Sequence, residues 1–143
     1  MTGKIPKVFV EEFLRRSRPD VFNTWPKGRL REWLDFHDRQ RGLAVVEVDG
    51  QLAGVAVVWR SHAPDIDDPW TKWDDTGDTV YVGQLHSTCP AATLGILCFL
   101  DQRIPNWRTL RFMAQRRGRR VNIPSKYMGR LFTLSARKVL NEH

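Results

Sequence analysis

Cysteine is scarce: Cys89 and Cys98 are the only two in 143 residues. They support no disulfide framework, and both are expected to be reduced. The four histidines (His37, His62, His86 and His143) lack paired ligand spacing, so no metal site is expected. Long apolar runs are missing as well. Apolar runs such as residues 94–100 are far shorter than the roughly 20 residues that a membrane-spanning helix requires. No signal-peptide segment opens the sequence, which leads to the expectation of a cytoplasmic protein with no membrane partner. Internal repeats and low-complexity tracts are also lacking. Acid is the last scarcity, and it is local. Residues 102–143 hold eleven Lys/Arg against the single acid Glu142, whereas residues 1–101 hold twelve against fifteen acids. The net charge of +7 is therefore the sum of −3 and +10. Such a division implies that one end meets something anionic: nucleic acid, a phosphorylated cofactor, an acidic partner, or the chain's own acidic half.

What is present suits one folded domain over residues 1–143, with 41% apolar residues and six tryptophans to build a core. The spacing predicts a helix over residues 6–17, with Pro6 at the first helical position, Phe9, Val10, Phe13 and Leu14 on one side, and Pro19 as its stop. A second helix is expected from Arg29 to about Arg41. Leu30, Trp33, Leu34 and His37 share its buried stripe, His37 lies half-buried at the edge, and Gly42 ends it. Asp49-Gly50 between valine-rich runs marks a tight hairpin of residues 43–48 and 51–59. Residues 60–78 read as a long loop with six aspartates, whose tryptophans tuck against the body or whose length serves a lid or a partner. A strand over residues 79–86, a bend at residues 87–90 and an apolar helix to Ile104 follow. A strand near residues 109–115, a basic segment and a last helix from about Ser125 complete the order, with Met128, Leu131, Phe132, Ser135 and Val139 on the inner side.

Two helices, a hairpin, a central strand, a buried helix, a further strand and a final helix resemble the layout of the GNAT (Gcn5-related N-acetyltransferase) superfamily. The resemblance covers most of the chain and rests on element order. It implies an α+β fold with a mixed sheet of four to six strands flanked by helices. It also implies transfer of an acyl group from acyl-CoA or another acyl thioester to an amine. In that superfamily the turn after the central strand carries R/Q-x-x-G-x-G/A, whose amides bind the cofactor's pyrophosphate at a helix N-terminus. Here the turn reads Ser87-Thr88-Cys89-Pro90-Ala91-Ala92, without either glycine and with Pro90 lacking an amide donor. By position, Ser87, Thr88 and Cys89 are the candidate cofactor-binding residues. A second register, Gln115-Arg116-Arg117-Gly118-Arg119-Arg120, matches the first half of the motif. Some toxin-activating acyltransferases and small phage-encoded proteins look like GNAT folds that have also lost this loop. A degenerate, inactive member and a virion location are consistent with that likeness.

Read from the residues themselves, Gln84 and His86 stand at i and i+2 on the central strand and so face one way. His86, whose ordinary pKa lies near neutrality, is the candidate proton acceptor; a strand-end histidine hydrogen-bonding locally is the alternative. Arg111, Arg116, Arg117, Arg119, Arg120, Lys126 and Arg130 form the candidate polyanion site, with Trp107, Phe112 and Tyr127 nearby. Arginine beside aromatic residues suits nucleic acid, where phosphate contacts dominate affinity. A non-enzymatic basic binding or structural protein, holding nucleic acid or an acidic partner, is the second functional class.

Overall fold

In the computed structural model, which describes residues 5–62, 64–116 and 119–141, Asp49 and Gly50 both take positive φ, 53° and 78°. They join β1 (Leu43–Val48) to β2 (Gln51–Ser61) as an antiparallel hairpin. Next to β2 lies β3 (Thr79–Ser87), again antiparallel. The chain then crosses over through α4 (Pro90–Arg103) to β4 (Arg111–Arg116), which runs parallel to β3. Strand β5 (Arg119–Ile123) returns antiparallel to β4, giving a five-stranded mixed sheet in the order β1-β2-β3-β4-β5.

Helices cover both faces, which makes the fold α+β. On one face lie α1 (Lys7–Ser17), α2 (Pro19–Phe22) and α3 (Arg29–Arg39); on the other lie α4 and α5 (Ser125–Asn141). Strand β2 shows why residues 52–59 of its sequence are apolar without interruption. Val55, Val57 and Trp59 face α1–α3, while Ala56 and Val58 face α4, so alternate residues fill two different cores. Among the described residues no helix is long and apolar enough to cross a membrane.

Several local features differ from the sequence expectation. Pro6 caps α1 rather than opening it, and Pro19 starts α2 instead of closing the helical region. Helix α3 ends at Arg39, and Arg41, not Gly42, takes the left-handed position at φ 57°. Gly42 N–H then donates to the His37 carbonyl at 2.8 Å and closes the end. His37, expected at the edge of its stripe, has no exposed surface at all. Of the basic segment, expected only to lead into the last helix, Arg116 ends β4 and Arg119 and Arg120 open β5. Among the described strands β5 pairs with β4 alone and forms an edge of the sheet.

Candidate functional site

Strands β3 and β4 stay paired only from Thr79–Arg111 to Val82–Ala114. Beyond that point β3 continues for five more residues, 83–87, bonded to β2 alone. Its other edge opens onto a cleft of about 880 Å³ that passes between β3 and β4. Arg18, Phe22, Trp25, Trp33, Trp59 and Tyr81 line its α1–α3 side, and Tyr127, Met128 and Leu131 of α5 line the other. Backbone amides and carbonyls along such an edge are ready to bond an extended ligand.

A β-bulge decides what points into this space. Val57 pairs with Gln84 but the next residue, Val58, pairs with Val82, so Gly83 is an extra residue in β3. Before the bulge Val80 and Val82 face α4. After it Gln84 and His86 share the face of Val57 and Val55, toward α1–α3, and both line the cleft. In a regular strand, with Gly83 paired like any other residue, the same side chains would point at α4. His86 is half-buried. Burial, reinforced by the positive charge of Arg18, holds its pKa below 6.5, so the imidazole is neutral at neutral pH. Arg18 itself is held by Asp20, with two contacts of 3.2 Å.

The apolar wall of the cleft is an aromatic stack. The Trp59 ring lies between His37 (4.7 Å, 17°) and Tyr81 (5.1 Å, 23°), with Trp33 edge-on to both Trp59 and His37. His37 Nε2–H donates to the Pro69 carbonyl at 2.7 Å, and Nδ1 accepts from Gln40 at 3.1 Å, which fixes one neutral tautomer. Burial pushes its pKa down to about 4. With both nitrogens engaged and no exposed surface, His37 is a structural residue.

The aspartate-rich loop is fastened by its backbone. Pro69 O also accepts from Trp33 Nε1 at 2.8 Å, Ile66 O accepts from Trp59 Nε1, and Thr71 O accepts from Gln40 at 3.2 Å. Asp67, at the rim of the cleft, pairs with Arg120 of β5 at 2.9 Å. The Asp67 carboxylate and, first, burial raise the pKa of Tyr81, whose ring lines the cleft close by.

The turn after β3 is divided between two tasks. Ser87 lines the cleft, and its hydroxyl lies 2.6 Å from the Thr93 hydroxyl, which lines it too. Thr88 faces away: its N–H and its hydroxyl both donate to Ala53 O of β2, at 2.9 and 3.3 Å. Cys89 is the N-cap residue of α4 without a side-chain capping bond, and it does not line the cleft. Pro90 occupies the first turn of α4 and withholds one amide. The alternative register at residues 115–120 straddles the β4–β5 hairpin instead of entering a helix, with Arg117 and Gly118 outside the described residues.

The candidate polyanion residues that the structure describes are not one patch; Arg117 lies outside the described residues. Arg120 is spent on Asp67. Arg111 pairs in register with Thr79, and Arg120 with Gln115, which places both on the α1–α3 face of the sheet. Arg119 and the helix residues Lys126 and Arg130 lie on the α4–α5 side; Arg119, Lys126 and Arg130 are exposed. Arg116 belongs to β4 by its backbone.

Trp59, Tyr81, Arg18, Asp67 and Thr93 line the site although the sequence reading did not select them. The one signal for them was Gly83, which ends the β-branched and aromatic run of residues 79–82 inside a strand, a mark of a bulge or a close approach. Among the described residues no three His, Cys, Asp or Glu side chains are grouped as metal ligands. No protein-family model matches the chain, and the searches of curated proteins and of solved structures found no match either.

Proposed function

We propose that the cleft between β3 and β4 binds an acyl thioester and that the protein transfers its acyl group to an amine. The observation that carries this reading is the run of β3 residues left without a partner on their β4 side, beside an 880 Å³ cleft that His86 lines. An extended thioester arm with amide groups bonds along that edge as an added strand would. His86, neutral at neutral pH, takes the proton from the attacking amine. A carbon–nitrogen bond forms, the carbon–sulfur bond breaks, and the departing thiolate recovers a proton. Gln84, one strand position away on the same face, orients the acceptor or the carbonyl by hydrogen bonding. The apolar wall of Trp33, Trp59 and Tyr81 excludes water from the thioester.

The α4 N-terminus offers little to a pyrophosphate, given Pro90 and the Ser87–Thr93 bond. A cofactor phosphate is therefore met elsewhere, and Arg18, which lines the cleft, is the cation placed to do it. The test is release of free thiol from acetyl-CoA, and from a longer-chain acyl thioester, in the presence of an amine. His86→Ala is expected to slow release by about 10²- to 10⁴-fold, the usual contribution of a positioned base. Unchanged turnover in that variant would remove His86 from the reaction.

A further inference from the structure

Eleven cations crowd the last third of the chain, and the fold consumes several of them internally. Arg103 bonds the Gln40 and Arg41 carbonyls and lies 3.8 Å over the Trp73 ring. Arg108 covers Trp107 at 4.3 Å, and Arg120 pairs with Asp67. Helix α5 is different. It has no acidic residue, and Lys126, Arg130 and Arg137 are exposed and form no ion pair among the described residues. At 3.6 residues per turn these three fall within an arc of about 60°, in a stripe about 16 Å long. This stripe is opposite the side on which Met128 and Ser135 are buried. Gly129 leaves a shallow hollow beside Arg130 and Arg137, and Tyr127, 52% exposed, flanks the start of the stripe.

We propose that this outer face of α5 binds single-stranded nucleic acid through its phosphate backbone, with the three cations outside the lining of the cleft and Tyr127 at the border between the two. A line of cations with no acid among them complements a polyanion of regular spacing. The exposed Tyr127 ring offers a face on which an unpaired base stacks, which a duplex cannot use in the same way. The apolar side chains exposed on α5, Leu134 and Leu140, lie to opposite sides of the basic stripe, so they form no continuous face for insertion into a lipid surface.

The experiment is fluorescence anisotropy of a labelled single-stranded oligonucleotide with the full chain, over a series of salt concentrations. Binding should weaken with salt, with a slope of about −0.7 per phosphate contact for single strands. Lys126→Glu, Arg130→Glu and Arg137→Glu together should lower affinity by at least about tenfold and flatten that slope by about 2. A triple glutamine variant of the same residues, with an unchanged melting temperature, guards against misfolding and should flatten the slope in the same direction. Arg111→Glu, on the other face of the sheet, should leave binding as it was. The proposal is overturned if the wild-type chain binds no oligonucleotide, or if the triple glutamine variant binds as well as wild type. Tighter binding to a duplex, or preference for anionic phospholipid vesicles, overturns it too.

Discussion

Gly83 lies against the Trp59 ring so closely that a Cβ built on it would stand 2.5 Å and 2.7 Å from two ring carbons. This approach links the core to the site. The bulge that Gly83 forms turns Gln84 and His86 into the cleft, and the ring it touches is the cleft's apolar wall. Gly83→Ala must displace a ring that is 2% exposed and stacked on both sides. The expected cost is about 1–3 kcal/mol, typical of overpacking, read as a lower midpoint in urea unfolding. A variant as stable as wild type would show that the ring moves freely and that the stack is not rigid.

His37 makes stability depend on pH. Its native pKa of about 4 lies below the ordinary 6.5, so the unfolded chain binds a proton that the folded chain refuses. Stability is complete above the unfolded value and falls as pH drops from about 6.5 to about 4, by roughly 3 kcal/mol over that window. His37→Leu should be less stable at pH 7, through loss of the Pro69 and Gln40 bonds, but should lose this slope. Urea unfolding across the window decides. A slope that persists in His37→Leu would assign it to another group.

The reaction's pH dependence should carry the mark of Arg18. His86 must be neutral to accept a proton, so the rate should rise with pH through a midpoint below 6.5 and level off near neutrality. Arg18→Ala removes the smaller of the two causes of that depression, burial being the larger. The acidic midpoint should therefore move upward but stay below the ordinary value. A midpoint that does not move would place the guanidinium too far from His86 to matter.

The fold was legible where one local rule sufficed. Asp49-Gly50 required a hairpin, and the apolar surface of residues 91–104 required burial. Gln84 and His86 were assigned to a common face because a strand has a period of two, and the bulge preserved that relation while exchanging the face. The exchange itself was not legible, because a single glycine does not tell how the neighbouring strand will pair. Burial of His37 followed from the loop carbonyl of Pro69, thirty-two positions away, which no periodicity of α3 could announce. Likewise the sequence left open whether the basic tract meets a polyanion or the aspartates of residues 65–78, and it could not say that Arg120 is the cation that pairs with Asp67. The open edge of β3 depends on where β4 turns away after Ala114, a long-range property with no signature in either strand.

Calorimetric titration with acetyl-CoA and with a longer-chain acyl thioester, after any co-purified nucleic acid has been removed, tests the central claim most directly. The account predicts saturable micromolar binding with one site per chain. His86→Ala should keep that binding while losing thiol release, and Arg18→Ala should weaken it. No heat with either thioester, from a chain that is folded by circular dichroism, would contradict the claim and leave the cleft without the ligand proposed for it.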